Sequence, residues 1–257
     1  MPAQRKNVHL VCGGKYHDID YARLQLLGLL AELEHVRTSV APDYGDLAAL
    51  ARADLLVTYT SDVIPDEQQL AALQDFMRKG GRWFALHGTN ARLEYRKGNG
   101  WVAPPEPRAF FDMLGSQFVA HPPIQPFTVA PSRSHPLVDG IEPFEADDEI
   151  YLCRFTAEVD CLLETRFSGD APGFEQADWR RNDRVPVMYL HRWEGHELLY
   201  LNLGHARGHY DMQPMIDYYP DTERGSWKQA AFHELLRRGL RWSLGEFDAQ
   251  KGEQHGG

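Results

Sequence analysis

The chain is short of the features by which several protein classes are recognised. Its three cysteines, Cys12, Cys153 and Cys161, are an odd set with no paired spacing. That speaks against a disulfide framework or a cysteine-built metal module, and reduced thiols in a cytoplasm are expected. No apolar run reaches the roughly 20 residues that cross a bilayer, and the opening "MPAQRKNVHL" lacks the apolar core of a secretion signal. Basic charge is scarce: 27 Lys and Arg against 37 Asp and Glu give a formal net charge of -10. With no basic run to compensate locally, that balance repels phosphate backbones and anionic lipid. Neither nucleic acid nor a membrane is expected as a partner. The first loop, "CGGKYH", lacks the G-x-G-x-x-G spacing that brings backbone close to a pyrophosphate, so no bound NAD is expected. Internal repeats and linkers are also missing. Residues 1–247 therefore read as one domain, with a flexible tail at 248–257.

What is present is an alternation of strands and helices. Hydrophobic residues make up 43% and charged residues 25% of the 257, enough for a sizeable core. Strands are predicted at 8–12, near "VRTSV", at 54–60 and in "RWFAL"; a helix is predicted at 19–34, and further helices in "DLAALARA" and "PDEQQLAALQDFMRKGG". This order calls for an α/β fold with a mostly parallel central sheet, a flavodoxin-like three-layer sandwich. The middle of the chain reads as an elaboration. "EYRKGNGWVAPPEP" is a surface excursion, "RAFFDMLG" a short helix, and the stretch up to "DDEIY" short strands broken by prolines. "VPVMYLHRW" and "HELLYLNLG" form two strands around a tight turn at Glu194–Gly195, and a final helix lies within "WKQAAFHELLRRGLRWSL".

Ligands of open parallel sheets bind beyond the carboxyl ends of the strands. That rule selects the loops carrying Tyr16, His17 and Asp18; Asp62; His87, Thr89 and Asn90; and His205, Arg207, His209, Tyr210 and Asp211. Four of the 12 histidines lie in them. Each has a plainer reading beside the functional one. Asp18 is equally suited to cap the helix that follows it. His87 fits a core histidine bonded to a carbonyl. His205 and His209 have an H-x-x-x-H spacing that suits zinc only on a helix, which Gly208 opposes. Glu149 in "DDEIY" fits a solvated strand residue. Cys12, at the end of an apolar strand, reads as a buried inert thiol.

Six segments, "GGKYHDIDYARLQLL", "GGRWFALHGTNA", "FFDMLGSQFVAHPP", "SHPLVDGIEPFEADDEIY", "LYLNLGHARGHY" and "LLRRGLRWSLG", stand in the order seen in the ThuA-like family, named for trehalose utilisation. The resemblance covers nearly the whole chain. It implies a fold like that of class I glutamine amidotransferases, whose catalytic cysteine sits at the bend occupied here by His87. Without that nucleophile, amidotransferase activity is not expected. The resemblance also implies carbohydrate metabolism, with a trehalose-type disaccharide or keto-sugar as substrate. On this reading His87 and His205 are the general acid and base. Tyr16, His17, Asp18, Asn90, His121, Glu149, Tyr151, Arg207 and His209 hold the substrate, and Trp101, Tyr210, Tyr218, Tyr219 and Trp227 are available to cover a sugar ring. No cofactor is expected. A metal-dependent hydrolase, with a divalent metal on His17, His87, His121 and His205, is the first alternative, and a non-catalytic sugar-sensing module the second. A homo-oligomer and a pathway dehydrogenase are the protein partners this reading allows.

Overall fold

The computed structural model describes residues 5–180, 184–213, 215, 217 and 219–247. The tail expected at 248–257, and Tyr218, lie outside them. The chain begins with β1 (Lys6–Gly14), α1 (Ile19–Ala31), β2 (Val36–Ala41), α2 (Leu47–Leu50), β3 (Leu55–Ser61), α3 (Glu67–Arg78) and β4 (Arg82–Leu86). After a 3-10 turn at His87–Asn90 come the hairpin β5 (Glu94–Arg96) and β6 (Gly100–Val102), then α4 (Arg108–Leu114), β7 (Ser116–Ala120), β8 (Gln125–Pro131) and β9 (Phe144–Asp148). The rest is β10 (Leu152–Phe155), β11 (Asp160–Arg166), β12 (Arg184–Trp193), β13 (His196–Leu201) and α5 (Ala230–Ser243).

Nine strands form one sheet in the order β2-β1-β3-β4-β13-β12-β11-β8-β9. Pairing is parallel from β2 to β13 and antiparallel from β13 to β9. The sheet is therefore mixed, and the mostly parallel, flavodoxin-like expectation is corrected. The reason is the β12–β13 hairpin. Its turn residues Glu194 and Gly195 both have positive φ, 47° and 85°, as a two-residue turn matched to strand twist requires. Such a turn returns the chain antiparallel beside itself, and the following strands continue in that sense.

Side-chain alternation divides the core between the two faces. Leu55, Val57, Phe84, Leu86, Leu199 and Leu201 pack with Leu26 and Leu30 of α1 and Leu236 and Leu240 of α5. Leu56, Trp83, Ala85, Leu198 and Tyr200 pack with Phe76 and Met77 of α3 and Phe110 and Phe111 of α4. Helices thus cover both faces. Local signals set the helix ends, with small shifts from expectation. Asp66, one residue beyond Pro65, forms a capping box with Gln69. Helix α1 stops at Ala31 rather than 34, and α5 begins at Ala230 because Gly225–Lys228 is a separate 3-10 turn. The surface excursion contains the β5–β6 hairpin.

The two halves of the sheet are tied by one buried side chain. Asp148, at the end of β9, accepts from the backbone amides of Glu149, Gly204, His205 and Ser226 at 2.8–3.1 Å. It is fully buried. Its acceptor geometry leaves no room at Gly225, where a Cβ would lie 2.4 Å from the His205 carbonyl oxygen and 2.9 Å from the Asp148 carboxylate. Removing this carboxylate leaves several buried N–H groups unpaired, each costing about 1–3 kcal/mol. Asp148→Ala is expected to destabilise the fold by at least about 3 kcal/mol, with Asp148→Asn, which keeps one acceptor oxygen, falling between it and wild type. Leu86→Ala, a simple core truncation, is expected to cost about 2–5 kcal/mol. Urea unfolding of the three variants checks both; an Asp148→Ala protein as stable as wild type would refute the tie.

Candidate active site

The bend after β4 is held in an uncommon conformation. His87 has φ 46°, and the Tyr200 hydroxyl donates to the His87 carbonyl at 2.7 Å while accepting from the Asn90 amide at 2.9 Å. Gly88 follows because a Cβ there would lie 2.7 Å from the Thr60 carbonyl oxygen. Left-handed backbone at a non-glycine residue is sparse in proteins and concentrates at functional sites. The effect is to turn the imidazole inward, where its Nδ1–H donates to the Asn202 carbonyl at 2.8 Å.

Four groups meet there. His17 Nε2 lies 2.8 Å from His87 Nε2. One oxygen of Glu149 lies 3.6 Å from His17 Nε2 and 3.5 Å from His87 Nε2. Its other oxygen lies 3.2 Å from His205 Nδ1. The outer nitrogen of each histidine is anchored: His17 Nδ1 on the Lys15 carbonyl at 3.2 Å, and His205 Nε2 on the Glu223 carboxylate at 2.7 Å. The candidate ligand atoms of His17, His87, Glu149 and His205 all lie within 4.8 Å of one another, so these residues could hold a metal ion. His121, expected among the metal ligands, lies at the edge with Nε2 3.6 Å from Glu149. Glu149, read from sequence as solvated, is the buried carboxylate at the centre.

Burial and charge oppose each other in this cluster. Desolvation lowers the His17 pKa to about 4, against the pull of Glu149. For His205, burial also acts downward, but Glu149, Glu223 and Asp148 outweigh it and raise the pKa to about 9. Burial alone would raise Glu149, yet the imidazoles of His205, His121 and His17 hold it well below the usual carboxylate range. The cluster therefore keeps an ionised carboxylate out of water.

Above the cluster is a cavity of about 440 Å3. His17, His121, Glu149 and Tyr151 line it on the polar side, with Arg207 and Glu223. Tyr16, Trp101, Phe118 and Phe174 supply aromatic wall. Burial holds the Tyr151 hydroxyl well above its ordinary pKa, and it lies 3.1 Å from His87 Nε2. His87 and His205, expected as direct acid and base, are fully buried, 6.0 Å apart between ring centres, and do not line the cavity.

Three other expected substrate contacts lie elsewhere. Asp18 caps α1 by accepting from the Tyr21 amide at 3.0 Å, and it pairs with Arg224. The Asn90 side chain donates to Ser116 Oγ, away from the cavity wall. His209 is exposed, its ring bonded to the Pro220 carbonyl. Among the aromatic candidates, Tyr219 lines the cavity, Trp227 is core and Tyr210 is exposed. Sequence reasoning missed Glu223, Phe118 and Phe174. Glu223 sits in a polar loop with no motif, and the two phenylalanines look like any core residue.

A ThuA-like protein from Bacteroides uniformis ATCC 8492 superposes with TM-score 0.64 at 17% identity, covering 95% of this chain and 93% of its own. One from Parabacteroides merdae ATCC 43184 gives 0.61 at 17%, covering 94% and 90%. A beta-galactosidase from Rahnella sp. R3 gives 0.57 at 12%, covering 95% of this chain but 32% of its own. At these identities the likeness is one of fold. No curated protein matches the chain. A family model described as ThuA, trehalose utilisation, matches residues 10–218. The chain belongs to the ThuA family, and its membership implies a role in trehalose utilisation.

Proposed function

We propose that this protein binds a trehalose-type disaccharide or its keto derivative in the cavity, and that it transforms the keto derivative by proton transfer beside its carbonyl. The observation that carries this reading is the composition of one cavity wall. Aromatic faces suited to a sugar ring stand beside a histidine, a carboxylate, a phenol and an Arg207–Glu223 ion pair suited to hydroxyls. Its volume falls within the roughly 300–1,000 Å3 of small-molecule sites.

The proton carrier we assign is His121. Its Nδ1–H donates to the Pro122 carbonyl at 2.7 Å, and its Nε2, free to take a proton, lies 3.6 Å from the Glu149 carboxylate, which stabilises the ring once it is charged. The ring is 27% exposed, so a substrate can reach it. An imidazole suits removal of a proton from carbon next to a carbonyl. Tyr151, kept protonated by burial, would donate a hydrogen bond to the oxygen that gains charge. His87 and His205 are then positioning residues. His87 orients His17 and Tyr151, and His205 holds Glu149. Isomerisation and eliminative cleavage of a keto-sugar both begin with this proton transfer, whereas hydration would use the same imidazole to take a proton from water.

His121→Ala is expected to lower turnover of a keto-disaccharide by about 10²–10⁴-fold while leaving the melting temperature nearly unchanged. Trehalose and its 3-keto derivative should each raise the melting temperature of wild type if the cavity is theirs. Should neither stabilise the protein nor be consumed, the carbohydrate reading fails. Stabilisation without turnover would favour the sugar-sensing module instead.

Thiol chemistry is not part of this proposal. Cys12 is buried, and burial pushes its pKa up to about 12, so almost none is thiolate at neutral pH. Iodoacetamide at pH 8 is expected to leave turnover intact and Cys12 unlabelled by mass spectrometry; inactivation traced to Cys12 would restore a thiol mechanism.

A further inference from the structure

The buried cluster beneath the cavity poses a problem of lone pairs. An imidazole whose outer N–H donates to a carbonyl presents its other nitrogen as a bare acceptor when the ring is neutral. That holds for His17, anchored on the Lys15 carbonyl, and for His87, anchored on the Asn202 carbonyl. Their Nε2 atoms nevertheless face each other at 2.8 Å. The Tyr151 hydroxyl, 3.1 Å from His87 Nε2, can donate to that nitrogen, but it leaves two ring acceptors facing each other at 2.8 Å, which repel unless something positive lies between them. His205 Nδ1, in a fully buried ring, is aimed into the cluster 3.2 Å from a Glu149 oxygen but makes no well-aligned hydrogen bond to it. The Glu149 carboxylate adds negative charge at the same point, bringing one oxygen towards His17 and His87 and the other towards His205.

We propose that His17, His87, His205 and Glu149 bind one divalent transition-metal ion of the zinc type. Atoms that share an ion at 2.0–2.2 Å lie about 3–3.5 Å from one another. The separations of 2.8, 3.5 and 3.6 Å among His17, His87 and one Glu149 oxygen come close to that, with His205 3.2 Å from the other Glu149 oxygen; the ligand atoms as a set lie within 4.8 Å, so the side chains need to draw in around the ion. Three imidazoles and one carboxylate favour zinc, iron or nickel over magnesium or calcium, which want oxygen. The outer partners have the form found around metal-bound histidines, whose second nitrogen donates to a carbonyl or carboxylate. Here those acceptors are the Lys15 carbonyl, the Asn202 carbonyl and the Glu223 carboxylate.

Two of the four ligands, His17 and Glu149, also line the cavity. An ion held by them is within reach of a substrate oxygen, where a cation polarises a carbonyl and stabilises the charge that forms on it. The site stands on the cluster alone and does not depend on the substrate being a sugar.

The test uses full-length protein without a histidine tag, stripped with a chelator and then titrated with Zn2+, Co2+ and Mg2+. Wild type is expected to retain about one equivalent of Zn2+ after gel filtration, to melt at a higher temperature with it, and to show visible Co2+ absorption characteristic of nitrogen ligation. Glu149→Gln and His17→Ala should each weaken Zn2+ binding by more than about 100-fold, since loss of an outer partner alone costs about 10–100-fold. His209→Ala, whose ring is exposed and outside the cluster, should bind as wild type does. Circular dichroism of the metal-free variants shows that loss of binding is not loss of fold; Glu149→Gln preserves volume for this purpose. Failure of wild type to bind Zn2+ or Co2+, tighter binding of Mg2+, or full binding by both ligand variants overturns the assignment. Sugar turnover by the stripped protein would overturn the metal's role and leave the carbohydrate reading standing; metal uptake without any sugar response would do the reverse.

Discussion

The Asp148 carboxylate is the constraint on which the site depends. It sits at the end of β9, in the antiparallel half of the sheet, and collects amides from the loop after β13 and from the turn at Gly225–Lys228. Its neighbour in sequence, Glu149, and one of the residues it holds, His205, are both members of the histidine cluster. A single buried acceptor therefore fixes the position of two functional groups from distant parts of the chain. Charge-assisted hydrogen bonds of this kind are stronger than neutral ones, and a buried charge is tolerable only when its lone pairs are filled.

The mixed sheet follows the same logic. The parallel half brings the ends of β1, β4 and β13 to one edge, and with them His17, His87 and His205. Parallel strands alone give a row of imidazoles with no buried carboxylate among them. Glu149 and Tyr151 arrive from the link between β9 and β10, part of the segment that looked like an elaboration. The elaborated middle thus completes the site, and it also supplies Trp101, Phe118 and His121 to the cavity wall, with Phe174 added from the link between β11 and β12.

Division of labour between buried and accessible groups is the other consequence. His87 and His205 are buried and do not line the cavity; their contacts towards it are with His17, Tyr151 and Glu149. Groups reachable from the cavity, His121 above all, are the ones able to exchange protons with a bound molecule. The bend at His87 serves this arrangement: a positive φ turns the ring under the cavity, and Tyr200 bonds both ends of the turn to keep it there.

Much of the fold was legible along the chain because its signals are local. Apolar alternation marked the strands, the acidic start after Pro65 and the double glycine bounded α3, and Glu194–Gly195 specified the hairpin. The convergence of His17, His87 and His205 followed from their places after parallel strands, since topology sends all such loops to one edge. What the sequence could not determine depends on direction and burial. Asp18 and Asn90 stand in the right loops, yet their side chains turn to a helix cap and to Ser116, which no spacing reveals. Glu149 reads as a surface carboxylate because solvation is a property of what packs over a residue, here three histidines brought from elsewhere in the chain. Glu223 carries no motif, and nothing in "DDEIY" singles out Asp148; the amides and imidazole they serve become their neighbours only when the sheet closes, and tertiary structure alone decides that.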